Sequence, residues 1–568
     1  MRQLQPGSVL DVRAIAGLHV ITLAWDFATG QDAAREGLLG FAVERSELDA
    51  HGAVVERYFL RGIKRFKLKD EGVPAGTPMP TSEHPIQSFQ WGDYTPTPDT
   101  TYRYRIIPAY GKPKFIVLDN ASSTTVEIMT ESEQGSAGAN GVASHDIFFN
   151  RGVAGSQAYA RKFGKTKPDE TKPQSAQMKW LSRGLFEALL GFIKRASGPD
   201  AHEYKLRAML YEFRYLPVGK AFGKARQAGA NVAIRYEAQS YGAENEAMIA
   251  AAGIKSICKP QKSRAGIRHN KFVVLIKNDT PVAVWTGSTN ISAGGIFGHS
   301  NVGHIVWDEG IATRYLEYWD RLAAADVTRG PLVGANLQLE PTPGVGSAPP
   351  ADRMLTLFCP RDGQHALATL NWYAGLMASA TRIMCMTFAF NLDVVFRDVL
   401  LRQSDTLQYA VFDKNLAPDL DAQISQIQNT VIAAGAKLST GDMENFLGEE
   451  LTGFNKNQYI HDKFMLVDPL SNDPVVVTGT ANFSGPSQYA NDENMLVIRR
   501  NTRVADVYFG EFMRIFDHLY SRYIINKLKN AGTNDPNAGF LKDVATEWVP
   551  QNFRPGRKQL RREYFMGK

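Results

Sequence analysis

A chain of 568 residues is too long for one hydrophobic core, and ordinary domain size divides it into about three or four units. Its 44% hydrophobic and 21% charged residues exclude a disordered or fibrous chain, and a net charge of +6 suits a polyanion or an anionic surface without selecting either. Cys258, Cys359 and Cys385 lie in apolar stretches without CxxC spacing, which predicts buried thiols rather than a disulfide framework or a zinc site. No apolar run precedes Asp11, and no stretch approaches the roughly 18 apolar residues of a membrane span. The expectation is a cytoplasmic chain, or one exported without a cleaved signal peptide.

Residues 1–135 alternate apolar and polar positions in short runs between turns, which predicts an all-β sandwich. The expected strands are 19–27, 38–45, 56–66, 86–91, 101–109 and 125–130. Trp25 in an early strand, and Tyr102 just after Thr95-Pro96-Thr97-Pro98-Asp99-Thr100, make this region resemble a fibronectin type III domain. The resemblance implies that the Tyr102 hydroxyl returns to the backbone, and that the sandwich offers a surface for a protein partner.

After a Gly/Ser/Ala-rich stretch from 131 to 143 the period changes to alternating strand and helix signals, giving a first α/β lobe over 136–336. Expected strands include 206–213, 232–236, 254–258, 272–276, 281–285 and 301–307, with helices over 218–228, 244–252 and 313–325. The Pro/Gly-rich residues 337–352 read as a linker. A second lobe over 353–530 repeats the plan, with strands 355–359, 383–388, 407–412, 464–467, 475–478 and 493–498 and helices 365–379, 420–434 and 505–523. Two similar lobes imply a pseudo-two-fold relation. Residues 531–568, with Arg554, Arg557, Lys558, Arg561, Arg562 and Lys568, read as a basic tail, solvated by default, with an anion-binding arm as the functional alternative.

One phrase occurs twice. His269-Asn270-Lys271 is followed by Gly287-Ser288-Thr289-Asn290, and His461-Asp462-Lys463 by Gly479-Thr480-Ala481-Asn482. Glycine follows histidine by 18 residues and asparagine by 21 in both copies. Each histidine opens a strand, where alternate residues share a face, so imidazole and ammonium stand side by side as an anion site. His299 and His304 have no counterpart in the second lobe and read as local structure. No carboxylate pattern joins them to His269 as a metal site.

The second copy reads HxKxxxxD through Asp468, and the pair resembles the phospholipase D superfamily over about 140–525. The resemblance implies a phosphodiesterase with an active site complete within one chain and no metal or other cofactor. Lys271, Lys463, Asn290 and Asn482 would hold the phosphate, with Ser288 and Thr480 in support. It further implies that residues 32 positions after each histidine, Asn301 and Glu493, orient the histidine of the opposite lobe. On that basis His269, coupled to Glu493, is the nucleophile that forms a phosphohistidine, and His461 is the general acid. The first copy departs from the pattern, holding Ile276 where the second has Asp468.

Motifs alone do not choose the substrate. Lys255, Lys259, Lys262, Arg264 and Arg268 crowd the approach to the first motif and favour nucleic acid, making a nuclease the preferred expectation. Phospholipid is the alternative, since the loop 443–459 carries Phe446, Leu447, Leu451, Phe454 and Tyr459. A third reading is a noncatalytic binding or delivery protein that uses the sandwich.

Overall fold

The computed structural model describes residues 1–69, 72–74, 77–134, 144–152, 156–261, 266–324, 328–390, 392–436, 454, 458–530 and 540–568, with 528–530 described by their backbone. At the N-terminus two antiparallel sheets face each other. One has the order Arg2–Gln5, Leu10–Ala16, Ile21–Phe27, Gln90–Asp93. The other has the order Phe115–Leu118, Thr101–Lys112, Gly40–Leu48, Val54–Phe59, with Thr124–Met129 also paired to Thr101–Lys112. Thr124–Met129 alternates buried and exposed residues, the period-2 signature of a half-buried strand. Trp25, Phe41, Phe89, Tyr102 and Tyr104 fill the space between the sheets. The Tyr102 hydroxyl accepts a hydrogen bond from the Thr97 backbone N–H at 3.0 Å.

Two seven-stranded mixed sheets follow. The first has the order Ser144–Phe149, Val302–Trp307, Thr280–Gly287, Lys271–Lys277, Tyr204–Leu210, Asn231–Glu237, Cys258–Gln261. The second has the order Leu355–Phe358, Asn494–Arg499, Val475–Gly479, Phe464–Val467, Ile383–Phe388, Leu407–Phe412, Thr430–Ala434. Both are antiparallel along their first five strands and parallel across the last three. Both faces of these strands are covered, and alternation divides their side chains between two cores. Phe272, Val274 and Ile276 join Phe464 and Leu466 in a central core beneath the helices Glu309–Ala323 and Thr502–Asn530. Val273 and Leu275 face the helices Leu185–Lys194 and Leu216–Ala228, whereas Met465 and Val467 face Gly363–Ala378. The motif strands are thus clamped from both sides.

Several expectations need correction. Residues 254–258 form a short 3-10 turn, Lys255–Ile257, before the strand Cys258–Gln261. Residues 420–434 are a helix, Pro418–Ser425, and then a buried strand, Thr430–Ala434, because a parallel strand covered on both faces has a continuous apolar run that periodicity reads as helix. The helix Arg329–Leu339 runs into the expected linker. The C-terminal segment is not a solvated tail. Trp548 and Val549 complete the sandwich core, and the helix Arg557–Met566 buries Phe565 and Met566 in the central core, with Arg562 paired to the buried Asp26. The expected linker residues 135–143 lie outside the described residues.

Asp468 sits at a turn with φ +45° and accepts the backbone N–H groups of Thr381, Arg382 and Ile383 at 2.8–3.0 Å. It fixes the start of the central strand Ile383–Phe388 and touches nothing in the motif. In the first lobe Ile276 holds the matching position, and Asp279 meets Lys205 instead.

Candidate active site

Each histidine strand is tied to the opposite lobe by its backbone. His269 N–H donates to Asp492 O at 3.1 Å and Asp492 N–H to Ile267 O at 3.0 Å; His461 N–H donates to Ser300 O and Ser300 N–H to Tyr459 O, both at 3.0 Å. A step of 192 residues carries His269 to His461 and Ser300 to Asp492, so one contact is made twice. The motif glycines serve a close approach. A Cβ on Gly287 would stand 2.4 Å from Val302 O, and one on Gly479 2.2 Å from Asn494 O, again a pair 192 residues apart.

This cross-pairing brings the two imidazoles face to edge, with ring centroids 6.3 Å apart. His269 Nδ1 meets Glu493 Oε2 at 2.8 Å, across the lobes. His461 Nδ1 donates to Asn301 Oδ1 at 3.0 Å and to Ser288 O at 3.1 Å, also across the lobes. Asn301 cannot turn its amide, because its Nδ2 donates to Gly295 O at 2.7 Å while Ser288 Oγ donates to its Oδ1 at 2.8 Å. Both histidines therefore carry the proton on Nδ1 when neutral and present the Nε2 lone pair. Glu493 is steadied by Asn491 Nδ2 at 3.0 Å and by the Thr480 hydroxyl.

Lys271 and Lys463 are as buried as the imidazoles, and each donates to the carbonyl of its own histidine, at 2.5 and 2.6 Å. Burial, only partly offset by Glu493 and Glu212, lowers the Lys271 ammonium to about 7, and burial and then Lys271 push Lys463 well below the ordinary lysine value. Burial also lowers His269 to about 4 against the pull of Glu493, and holds His461 well below the ordinary histidine value, with Lys463 the next cause. Burial would raise the Glu493 carboxyl, but His269 and then Lys271 hold it down. These basic groups, with Glu493 and Glu212 beside them, line a buried cleft where burial and mutual repulsion disfavour their protonated forms until an anion enters.

Asn290 Nδ2 donates to Glu212 at 2.8 Å, and Asn290 Oδ1 and Asn482 Oδ1 are buried without a partner among the described residues. Sequence reasoning missed Glu212, and also His299, whose ring lies 5.0 Å from that of His461. Neither ring nitrogen of His299 has a partner among the described residues, so this third imidazole keeps its hydrogen-bonding capacity at the face of His461. Tyr211 packs on His269 at 4.8 Å, and the exposed Phe390 stands 6.5 Å from His461.

The basic cluster expected to meet substrate does not act together. Arg268 is 2% exposed and paired with the buried Asp492, so it belongs to the cross-lobe tie. Lys255 and Lys259 are exposed beside or on the edge strand Cys258–Gln261, three strands and about 14 Å from the motif strand. Lys262 and Arg264 lie outside the described residues, as do Phe446, Leu447 and Leu451 of the expected apolar loop. Phe454 packs on Phe297 at 6.4 Å. His304 stays in the core between His145 and the Tyr508 hydroxyl.

Asp462 is a buried carboxyl with no partner for either oxygen among the described residues, and burial raises it to about 7 despite Lys463 and Arg514. The matching Asn270 is bonded to Asn494 and Tyr318. Between the ordinary value of 3.8 and about 7 the folded chain holds a proton that the unfolded chain releases, so Asp462 costs stability progressively as pH rises through that window and in full above it. Asp462→Asn is expected to raise stability by about 1–3 kcal/mol above pH 7 and by little near pH 4, read from denaturation midpoints across that range.

Two imidazoles facing each other between two buried lysines, each oriented from the opposite lobe, define an enzyme that acts on phosphodiester bonds. Residues 416–518, within the second lobe, match the family model described as cardiolipin synthase, PLD-like domain, and the chain carries a phospholipase D-like domain there. None of the curated proteins compared matches the chain significantly. Among solved structures it is similar to Nuc, a phospholipase D family member from Salmonella typhimurium, at 20% identity over 32% of this chain and 94% of that one, TM-score 0.22. Phosphatidylserine synthase from Haemophilus influenzae is 10% identical over 62% of this chain and 91% of its own, TM-score 0.40. Yeast tyrosyl-DNA phosphodiesterase is 10% identical over 53% and 85%, TM-score 0.32. Among the described residues no helix is long and apolar enough to cross a membrane.

Proposed function

We propose that the chain is a duplicated phospholipase D-like phosphodiesterase that works through a phosphohistidine on His269, and that its substrate is nucleic acid. The observation that carries the reading is the facing pair of imidazoles, each held through Nδ1 by the opposite lobe. His269 Nε2 attacks phosphorus in line, the N–P bond forms as the P–O bond to the leaving group breaks, and His461, which takes a proton on Nε2 once the phosphate anion is bound, gives that oxygen the proton. Water then attacks phosphorus, passing a proton to His461 Nε2, and the N–P bond breaks. The Glu493 carboxylate stabilises the positive charge that the phosphorylated ring acquires, which favours His269 over His461 as nucleophile. Lys271, Lys463 and the asparagine amides at 290 and 482 hold the non-bridging oxygens, so the chemistry needs no metal.

Nucleic acid is favoured by aromatic rings and a cation at the mouth. Phe390 is 55% exposed beside His461, and Tyr241, with Arg214 4.6 Å over its ring, adjoins Tyr211 beside His269. Such rings stack on bases while cations track the backbone. The strand order of the N-terminal sandwich and its Tyr102 hydrogen bond support a fibronectin type III-like module that orients a partner or substrate.

The test is turnover in chelator of plasmid, single-stranded DNA, RNA and mixed phospholipid vesicles, beside His269→Ala and His461→Ala. Cleavage of the nucleic acids, lost in both variants, is the expected result. Cleavage of lipid alone would select the phospholipase reading, loss of activity in chelator would overturn the metal-free chemistry, and inactivity on all would favour a binding protein.

A further inference from the structure

Two strands, about 10 Å, from the motif strand Phe464–Val467, a cavity of about 370 Å³ lies where the sandwich, the second lobe and the C-terminal helix meet, lined by none of the motif residues. Its lining among the described residues includes Lys64, Arg557, Lys558, Arg561 and Arg562 and no acidic side chain. Arg562 is neutralised by Asp26. The side chains of Lys64, Arg557, Lys558 and Arg561 form no ion pair or hydrogen bond with the described residues, although Arg561 feels the buried Asp517 behind it. These cations see one another: burial, and then Arg557, Lys64 and Arg561, hold the Lys558 ammonium below its ordinary value. Proteins do not gather uncompensated charge of one sign in a concavity without cost, and a bound counter-charge removes that cost.

Two further observations point to a ligand. The Tyr409 hydroxyl, on a side chain 1% exposed that lines the cavity, has no partner among the described residues, and neither does the buried Arg561 Nε. An unpaired buried polar group is rare enough to require a partner such as a ligand or water. Tyr520, also in the lining, lies half-buried and stacked on Phe516, 5.3 Å between centroids, giving the cavity an aromatic wall. The volume falls within the range of about 300–1,000 Å³ typical of small-molecule sites.

We infer that this cavity binds a compact polyphosphate, either a nucleoside di- or triphosphate or an inorganic phosphate chain, at a site separate from the catalytic centre. Four cations without an ion-pair partner among the described residues match an anion carrying two or more phosphate groups, and Arg557 and Arg561, one turn apart on one helix, suit bidentate contacts to it. Because the cations come from the sandwich and from the C-terminal helix, occupancy ties the last segment of the chain to the rest.

The test is calorimetric titration of full-length Lys271→Met/Lys463→Met protein, in which the catalytic anion site is disabled, with ATP, tripolyphosphate, orthophosphate and adenosine. One site per chain for ATP and tripolyphosphate is expected, weakened at least about 10-fold by adding Lys558→Gln/Arg561→Gln, a loss of roughly 1.4 kcal/mol or more. The exposed single change Lys64→Gln should weaken binding in the same direction and guards against misfolding of the pair. Equal affinity for ATP and tripolyphosphate would identify the phosphate chain as the ligand, whereas tighter ATP would add the aromatic wall. No binding up to about 1 mM, binding indifferent to these changes, or binding of adenosine alone would overturn the site. In an otherwise unaltered chain, Lys558→Gln/Arg561→Gln should leave phosphodiester turnover intact, which separates this site from the proposed catalytic one.

Discussion

His461→Ala is expected to stop the proposed reaction halfway. With bis-p-nitrophenyl phosphate, whose leaving group departs without protonation, the variant should release a burst of about one nitrophenolate per chain and then stall, because the second half-reaction lacks its base. Steady turnover should fall about 10³–10⁴-fold or more, and peptide mass mapping should find the phosphoryl group on His269. His269→Ala should show the same loss with no burst. A phosphoryl group on His461 in the His269→Ala protein would reverse the two roles. The acid side of the pH profile carries a further check. His269 at about 4 is already a free base at neutral pH, so burst rates should hold constant down to mildly acidic pH and fall as that ring takes a proton.

The motifs were legible because a 192-residue step preserves chemistry and spacing together. Their geometry was legible only in part. The equal offsets from histidine to glycine reflect a backbone need, the approach of Gly287 and Gly479 to Val302 O and Asn494 O, which any side chain would block. His299 was not legible, since it lacks a partner 192 residues on. It reaches His461 because the glycine-rich Gly294–Gly298 winds as a wide π-turn just before it, and a run of Gly and Phe carries no sign of that. Glu212 stands two residues past the strand Tyr204–Leu210, where only the fold brings it to Asn290. The C-terminal segment misled by composition. Its Arg and Lys residues suggested solvent, yet Trp548, Phe565 and Met566 anchor it, and arginine stems cover apolar surface readily. The strand Leu10–Ala16 alternates apolar and polar residues at its start and was open to detection; the short, mostly exposed Arg2–Gln5 was not.

Arg268→Ala is expected to be among the most damaging changes outside the catalytic groups, although Arg268 touches no reacting atom. It would take the paired guanidinium from the Asp492 carboxylate, which is 1% exposed, one residue from Glu493, and whose backbone C=O accepts the His269 N–H. Removing one member of a buried pair costs about 3–5 kcal/mol because the other charge remains buried. The molecule contains its own control, since the same cross-lobe contact is made on the other side by Ile460 and Ser300 with no charge at all. Arg268→Ile/Asp492→Ser copies that solution. It should recover most of the stability lost in Arg268→Ala, because exchanging a buried ion pair for neutral residues of a proven geometry is often neutral or stabilising. Thermal and urea midpoints of the three proteins decide the matter. If the double variant is as unstable as the single one, the arginine works through contacts other than its charge. If stability returns but turnover does not, the ion pair holds Glu493 in register with His269, and its conservative form Arg268→Lys should restore turnover in part.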